Sequence, residues 1–340
     1  MLKREGGPQI DGVTPGAAIP GGDLFIRGKG FASTNGNRPT VRFGEAEGSL
    51  LLWSDDLLVA RVPDGAAARV LIETERGQSA AFPLAVGQPI ADNLHPVANP
   101  VVDGQGNIYV TFSGQRGQKV PVPLYKITPD YTVKPLTIQL MNPTGLAIDR
   151  EGTLYVSSRN DGTIHRIAND SRPQKWVEGM GIASGLAFDR EGHLYVGDRS
   201  GTIFKISPDR EILVFATLEP SISAYHLAFN PEGELFVTGP TTSSFDRVYR
   251  ITRAGQVSMF YRGLGRPQGL AFDRRGNLLV AASLGGKRGI VRLTPAAQPE
   301  LILSGVGLVG MALLARRAIL ATNSALYSID WDVDGLPLGG

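Results

Sequence analysis

The sequence predicts an all-β protein in which a small N-terminal β-sandwich precedes a ring of repeated β-sheets. Three observations support this prediction: the composition, an internal repeat, and a non-repeating segment before the repeat. The 340 residues include 43 glycines and 23 prolines, and only 19% are charged. Valine, isoleucine, threonine and aromatic residues occur in short runs between turn residues, which is typical of many strands joined by tight turns.

The internal repeat is a pair of short apolar runs joined by a polar turn that contains glycine. Six copies begin at Asn99 (NPVVDGQGNIYV), Gly145 (GLAIDREGTLYV), Gly185 (GLAFDREGHLYV), His226 (HLAFNPEGELFV), Gly269 (GLAFDRRGNLLV) and Gly310 (GMALLARRAILA). They lie 40 to 46 residues apart, and two further short apolar runs follow most of them. Four strands in about 40 residues are typical of a β-propeller blade, because stacked solenoids repeat at roughly 20 to 30 residues. We therefore expect a six-bladed β-propeller over residues 95–340.

The polar turn of the repeat contains an aspartate followed by x-x-Gly, as at Asp149, Asp189 and Asp273. Aspartate accepts hydrogen bonds from backbone N–H groups in such turns, and glycine adopts the positive φ that they require. We interpret these aspartates as structural rather than catalytic.

The ends of the chain predict how the ring begins and closes. Residues 1–86 do not share the repeat and contain about seven short strands between Gly/Pro turns, the pattern of a small β-sandwich. The sixth repeat supplies only three strands. We expect residues 87–94 to form a linker that adds its missing outer strand.

The N-terminal segment resembles the TIG/IPT family of immunoglobulin-like domains. The matching residues are Pro8, Ile10, Val13, Pro15, Gly21, Gly22, Ile26, Gly28, Gly30, Phe31, Phe43, Gly44, Val62 and Pro63. The resemblance implies a module that binds or spaces other domains and performs no chemistry itself.

The repeats resemble NHL repeats, and the resemblance is closest over residues 142–158, 183–198 and 267–282. The first, fourth and sixth units depart from the pattern. Rings of this kind are similar in architecture to the gluconolactonase and senescence-marker family of metal-dependent lactone hydrolases and to strictosidine-synthase-like proteins. Such a resemblance implies the fold more firmly than the function.

Charge and apolar runs exclude several classes of partner. The formal charge is +2, and the basic residues are divided between the two ends of the predicted ring, so we expect no nucleic-acid binding. The longest apolar run, residues 306–315, is far shorter than the roughly 20 residues of a membrane span. The first residues lack the apolar stretch of a secretory signal, whereas the absence of cysteine fits an exported or cell-surface bacterial protein. The compartment and the oligomeric state stay open.

The candidate ligand-binding residues lie in the loops after the second strand of each repeat and in those before the first. They are Asn99, Asn142, Arg159, Asp198, Tyr225, His226, Arg266, Gln268 and Asn323. This polar rim of mixed charge carries no complete catalytic set. It predicts a non-catalytic binding or scaffold protein that recognises a protein, a glycan or a small molecule and needs no cofactor.

The alternative is a lactone or ester hydrolase that uses a divalent ion such as calcium. The resemblance to gluconolactonases implies a channel metal held by glutamate, asparagine and aspartate oxygens, and Asp198 is the candidate ligand, with His226 as a further catalytic candidate. No glutamate begins an inner strand, which disfavours this reading. In DWDVDG, Asp330, Asp332 and Asp334 match the first half of a calcium loop, but its twelfth position would lie beyond Gly340, and we interpret the segment as an acidic tail.

Overall fold

The computed structural model describes residues 7–32, 36–168 and 172–336, and every regular element in them is a β-strand. This confirms the predicted all-β class. The described residues contain no helix of the length and apolarity that crossing a membrane would require.

The N-terminal domain is built on one sheet of short, mostly antiparallel strands. The strands of this part of the chain are β1 (Gln9–Thr14), β2 (Ala17–Ala18), β3 (Asp23–Lys29), β4 (Thr40–Phe43), β5 (Ala46–Trp53), β6 (Leu57–Arg61), β7 (Arg69–Thr74), β8 (Gly77–Gln78), β9 (Phe82–Pro83) and β10 (Ala85–Val86). Their order is β1-β3-β6-β5-β4-β7-β8, with β9 beside β7. Strand β3 alternates buried and partly exposed residues, because one face covers a core that contains Phe31, Phe43 and Ile72.

Within residues 88–330, as far as they are described, the repeats form six sheets, which we number in chain order as repeat sheets one to six. Sheet one contains β12 (Val101–Val102), β13 (Ile108–Thr111), β14 (Leu124–Ile127) and β15 (Val133–Leu136), and sheet two contains β16 (Pro143–Ile148), β17 (Leu154–Ser158), β18 (Ile164–Ile167) and β19 (Gln174–Val177). Sheet three contains β20 (Ala183–Phe188), β21 (Leu194–Asp198), β22 (Thr202–Ile206) and β23 (Ile212–Thr217), and sheet four contains β24 (His226–Phe229), β25 (Leu235–Thr238), β26 (Asp246–Ile251) and β27 (Val257–Leu264). Sheet five contains β28 (Leu270–Phe272), β29 (Leu278–Leu284), β30 (Lys287–Leu293) and β31 (Pro299–Ser304), and sheet six contains β32 (Leu308–Leu314), β33 (Arg317–Thr322) and β34 (Leu326–Asp330), with β11 (Gln88–Ala91).

Sheets five and six are joined to the segment that precedes the repeats. Strand β11 pairs antiparallel with β34 and is the fourth strand of sheet six. Strands β2 and β10 extend sheet five to six strands, with Ala18 beside Ser304. The ammonium group of Lys287 lies 3.8 Å from the ring centroid of Phe25. The N-terminal domain therefore covers the outer edge of sheet five, which would otherwise present unpaired backbone groups.

Apolar clusters between neighbouring sheets close the series into a propeller-like ring. Each of the six clusters in the described part of the ring joins two consecutive sheets. Val110 and Ile127 of sheet one pack with Ile319 and Leu326 of sheet six, so the first sheet meets the last. A sheet that buries both faces on its neighbours explains why the repeats look apolar rather than alternating.

The turns that begin at Asp149, Asp189 and Asp273 have the predicted hydrogen bonds. The Oδ1 atom of Asp189 accepts hydrogen bonds from the backbone N–H groups of Glu191 at 3.0 Å and His193 at 2.8 Å, and Gly192 has a φ of +85°. Asp149 and Asp273 form the same two bonds. These carboxylates therefore fix the turns.

Candidate functional site

The two ends of the ring differ in the connections between strands that they carry. We call the loop end the one that carries the connections 112–123, 159–163, 178–182 and 199–201, and the turn end the one that carries the turns 149–153, 189–193 and 230–234. Each inner strand, the first of its sheet, runs from the loop end to the turn end.

A cavity of about 580 Å³ lies between the inner strands and reaches the turn end. Its wall is mainly apolar and includes Leu146, Ala187, Ala228, Ala271 and Met311. An apolar cavity of this size with a few polar groups is the usual form of a small-molecule site.

Six equivalent positions near the loop end of the inner strands decide which polar groups reach this cavity. Four of them are glycines, and Asn99 and His226 occupy the other two. At Gly145 and Gly185 an added Cβ would collide with the carbonyl oxygens of Ser184 and Tyr225 in the next sheet, so side chains are excluded there. Asn99 and His226 are therefore the polar side chains of this layer, and both line the cavity.

The amide of Asn99 is fully engaged by the backbone. Its Nδ2 group donates to the carbonyl oxygen of Leu270 at 2.9 Å, and its Oδ1 atom accepts from the N–H of Met311 at 3.1 Å. These bonds join sheet one to sheets five and six. Asn99 thus helps to close the ring and keeps little capacity for a ligand.

The imidazole of His226 has the opposite character. The residue is 3% exposed, and its ring forms no hydrogen bond with any described residue. Burial lowers the pKa of His226 to about 4, so the ring is neutral at pH 7 and presents one donor and one acceptor nitrogen. An imidazole without a hydrogen-bond partner in a cavity wall can form hydrogen bonds with a molecule that enters the cavity.

Charged and aromatic side chains surround the cavity at the turn end. The Tyr195 ring meets Phe215 and Phe229 edge to face, with centroids 4.9 and 5.0 Å apart, and the ammonium group of Lys205 lies 5.4 Å from its centroid. Arg253 donates from Nε and Nη2 to the carbonyl oxygen of Glu232. The mouth therefore has a rigid aromatic wall and a charged edge.

One cluster at this mouth has the composition of a metal site. Ligand atoms of Asp189, Glu191 and His193 all lie within 4.8 Å of one another, the one such group in the described part of the chain. The Asp189 carboxylate already has partners besides Glu191. They include the backbone N–H of His193 at 2.8 Å, its Nδ1 atom at 2.9 Å and the ammonium group of Lys205 at 3.8 Å. The nearby positive charge disfavours a cation here.

The side chains of three predicted ligand residues at the loop end are already hydrogen-bonded, mainly to backbone groups. Asn142 is fully buried, and its side chain bonds to Gly117 N, Gly114 O and Gln115 O at 2.6, 3.2 and 2.7 Å. Asp198 accepts from the N–H of Ile182 at 2.8 Å and from the Ser200 hydroxyl. The hydroxyl of Tyr225 donates to the carbonyl oxygen of Glu219, and burial raises the pKa of Tyr225. These side chains fix the conformation of the loops.

The other predicted ligand residues lie apart from the cavity. Arg266 and Asn323 are exposed, and Gln268 is half-buried, with its backbone carbonyl oxygen accepting the Thr238 hydroxyl at 2.5 Å. Arg159 donates to the carbonyl oxygen of Gly114. The structure thus places Asn99 and His226 in one cavity, and the remaining seven predicted residues outside its lining.

The three aspartates of the C-terminal tail do not form a group of three ligand atoms in the described residues. Asp330 pairs with Arg317 at 3.5 Å, and Asp334 pairs with Arg274 at 3.2 Å. The tail continues to Leu336, whose N–H donates to the carbonyl oxygen of Phe272 at 3.1 Å and whose side chain lines the cavity.

Sequence reasoning missed the turn-end wall, namely Tyr195, Lys205, Phe215, Phe229 and Arg253. These residues belong to ordinary positions of the repeat, and we expected ligand groups at the loop end. The one available signal was the departure from glycine at Asn99 and His226, which did identify two cavity residues.

Comparisons with known proteins support this architecture. Residues 8–84 match the IPT/TIG domain, whereas no curated protein sequence matches the chain. A gluconolactonase from Xanthomonas campestris is similar in structure, with a TM-score of 0.57 and 17% identity over 72% of this chain and 89% of that one. An auxiliary nutrient binding protein from Bacteroides ovatus has a TM-score of 0.56 and 11% identity over 96% of this chain and 99% of that one. A catalytically inactive virginiamycin B lyase from Staphylococcus aureus, solved with quinupristin, has a TM-score of 0.54 and 14% identity over 97% of each chain. At these identities the likeness concerns the fold.

Proposed function

We propose that the protein is a non-catalytic binding protein that takes a small molecule into the central cavity of a six-bladed, NHL-type ring. The single observation that carries the proposal is the cavity of about 580 Å³, with a mainly apolar wall and the unpartnered imidazole of His226. Small-molecule sites have volumes of roughly 300 to 1,000 Å³ and place a few polar groups in an apolar wall.

The ligand class follows from the state of His226. A neutral imidazole in an apolar surrounding gains a hydrogen bond that it otherwise lacks, whereas an ionised group beside His226, away from the charged mouth, would lose its hydration without a charged partner there. We infer an uncharged ligand that bears a carbonyl, hydroxyl or N–H group and an apolar body. The Tyr195 ring at the mouth provides the contact for that body.

The domain arrangement fits a binding role. In this proposal residues 1–86 are a spacer, residues 87–94 a linker, and residues 95–340 the ligand-binding ring. The Bacteroides ovatus protein named above covers nearly the whole chain and is described as an auxiliary nutrient binding protein. That likeness concerns the fold, and it is compatible with a binding role. Recognition of a protein or glycan at the loop end remains a second mode of binding.

The hydrolase alternative has in its favour the fold of the gluconolactonase from Xanthomonas campestris. Against it stands Asp198, whose two carboxylate oxygens accept the Ile182 N–H and the Ser200 hydroxyl. A hydrolase of this kind would contain a stoichiometric divalent ion and would lose gluconolactone turnover in Asp198→Ala. We expect no metal-dependent turnover of gluconolactone in the wild type or in Asp198→Ala.

Binding of the uncharged fluorescent probe N-phenyl-1-naphthylamine tests the proposal directly. We expect saturable binding of one molecule, which weakens at least about tenfold in Ala271→Phe because the new ring fills the cavity. Ala296→Phe places the same ring on an exposed turn and should bind like the wild type. His226→Phe should weaken binding less than Ala271→Phe, because it removes one hydrogen bond.

Circular dichroism would verify that the variants fold, and Ala228→Leu provides a milder filling of the same cavity. Failure of the wild type to bind in a saturable manner, or equal binding by both cavity-filled variants, would refute the proposal.

A further inference from the structure

Three arginines lie at the loop end of sheets one to three and outside the cavity, and the charges of Arg116 and Arg199 act on Arg159. Arg159 and Arg199 occupy equivalent positions, each directly after the second strand of its sheet. Each donates its backbone N–H to the residue just before the inner strand of its own sheet, namely to Asn142 O at 3.1 Å and to Ile182 O at 3.3 Å. The repeat therefore places the two arginines at equivalent backbone positions on adjacent sheets.

The third arginine, Arg116, is exposed on the loop that follows the second strand of sheet one. The buried amide of Asn142 bonds to both neighbours of Arg116 in the chain, accepting from Gly117 N at 2.6 Å and donating to Gln115 O at 2.7 Å. Arg159 donates to Gly114 O in the same loop. The backbone that carries Arg116 is therefore held in place before any ligand arrives.

The positive charges of these three side chains are not neutralised by any described residue. Arg159 bonds to the carbonyl oxygen of Gly114, and Arg199 bonds to those of Ser221 and Ile222 at 3.4 and 2.7 Å. None of the three forms an ion pair within the described ranges. The nearby Asp161 carboxylate interacts with Ser158 and Thr163, and the charge that lowers its pKa further is that of His165 rather than an arginine.

Without a bound ligand, the arrangement of these three arginines is electrostatically unfavourable. The Nε atom of Arg159 is buried and has no hydrogen-bond partner. Burial lowers the pKa of Arg159, and the positive charges of Arg199 and Arg116 lower it further. Half-buried like charges repel one another and lack part of their hydration, so a bound anion would relieve both effects. Groups kept in such an unfavourable state commonly mark a functional site.

We propose that Arg116, Arg159 and Arg199 form a binding site at the loop end for the oxyanion group of a small molecule, a carboxylate or a phosphate. Arginine presents planar, paired N–H donors that match both groups. The site is separate from the central cavity and does not depend on the function proposed for it. Its ligand carries a negative charge, whereas that of the cavity is uncharged.

Isothermal titration calorimetry with two probes, citrate and inorganic phosphate, tests this site. We expect saturable binding of at least one probe, which weakens as sodium chloride is added. Arg116→Gln and Arg199→Gln should each weaken binding about tenfold, since each removes one charged contact. Arg275→Gln removes the same charge from an exposed turn-end position and should change the affinity less than twofold.

The relative affinity identifies the source of the oxyanion: tighter citrate binding indicates a carboxylic acid, and tighter phosphate binding indicates a phosphate ester. Arg159→Lys keeps the charge but removes the paired donors, so it should bind more weakly than the wild type while melting at nearly the same temperature. Binding of N-phenyl-1-naphthylamine should be unchanged in all of these variants. Absence of saturable binding by both probes, or an equal loss in Arg275→Gln, would overturn the site.

Discussion

The two ends of the ring use polar side chains in opposite ways. At the loop end, Asn142, Asp198 and Tyr225 are buried and bonded to backbone groups of their own or neighbouring loops. At the turn end, the aspartates fix short turns, and the space between them opens into the cavity. The loops are held by side chains from other segments of the chain, whereas each of these turns is held by an aspartate of its own.

A polar residue near the cavity points to a ligand only when its hydrogen-bonding capacity is still free. Asn99 and His226 occupy equivalent positions, yet Asn99 is fully bonded and His226 is unpartnered. The guanidinium groups of Arg159 and Arg199 at the loop end bond to neutral carbonyl groups. Free capacity, rather than residue type, separates candidate recognition groups from loop supports.

The largest expected effect comes from the close packing of inner strands near the loop end. Gly185→Ala should lower the free energy of unfolding by at least about 3 kcal/mol, because the new methyl group collides with the carbonyl oxygen of Tyr225. Gly104→Ala, in a turn at the other end with open space around it, should change it by less than about 0.5 kcal/mol or stabilise slightly. Urea unfolding measures both, and a tolerated Gly185→Ala would contradict the packing.

Next in size is the loss of a loop support. Asn142→Ala removes three hydrogen bonds and leaves a residue other than asparagine at a φ of +46°. We expect destabilisation by about 2 to 3 kcal/mol. The exposed Asn323 offers the control, and Asn323→Ala should have little effect on the same unfolding curve. Similar curves for the two variants would contradict the supporting role of Asn142.

His226 makes the stability of the ring depend on pH. Its pKa is about 4 in the folded protein and roughly 6.5 in an unfolded chain, so the unfolded state binds the proton first as the pH falls. The contribution is fully present above about pH 6.5 and is lost towards pH 4, by about 2 kcal/mol between pH 7 and pH 5. The difference in the free energy of unfolding between the wild type and His226→Gln, measured over this pH range, isolates the contribution of the imidazole. A constant difference would show that the imidazole is not buried in its neutral form.

The smallest effect concerns the cluster at the mouth of the cavity. Glu191→Gln should change the melting temperature very little, since Glu191 is exposed and surface charges contribute about 0 to 1 kcal/mol. Addition of calcium or zinc should not raise the melting temperature of the wild type, because the Asp189 carboxylate is already paired with Lys205 and His193. A metal-dependent increase that is lost in Glu191→Gln would identify the cluster as a cation site instead.

Much of the fold was predictable from the sequence, because the repeat determines the strands and turns of each sheet. The turn aspartates and the glycines of the inner strands have local causes, and the N-terminal domain carries its own pattern of strands. The candidate site was only partly predictable. His226 could be recognised because it replaces a glycine, but the bonds that occupy Asn142 and Asp198 depend on loops 16 to 28 residues away in the chain. The turn-end wall comes from residues that look ordinary in each repeat and meet only when the sheets stand side by side.

Hydrogen–deuterium exchange with and without bound N-phenyl-1-naphthylamine tests most directly the claim that the central cavity is the binding site. We expect slower exchange in the turn 189–193 and in the inner strands β20 and β24, with no change in the loops 112–123 and 159–163. Protection confined to those loops, with unchanged exchange around the cavity, would contradict it.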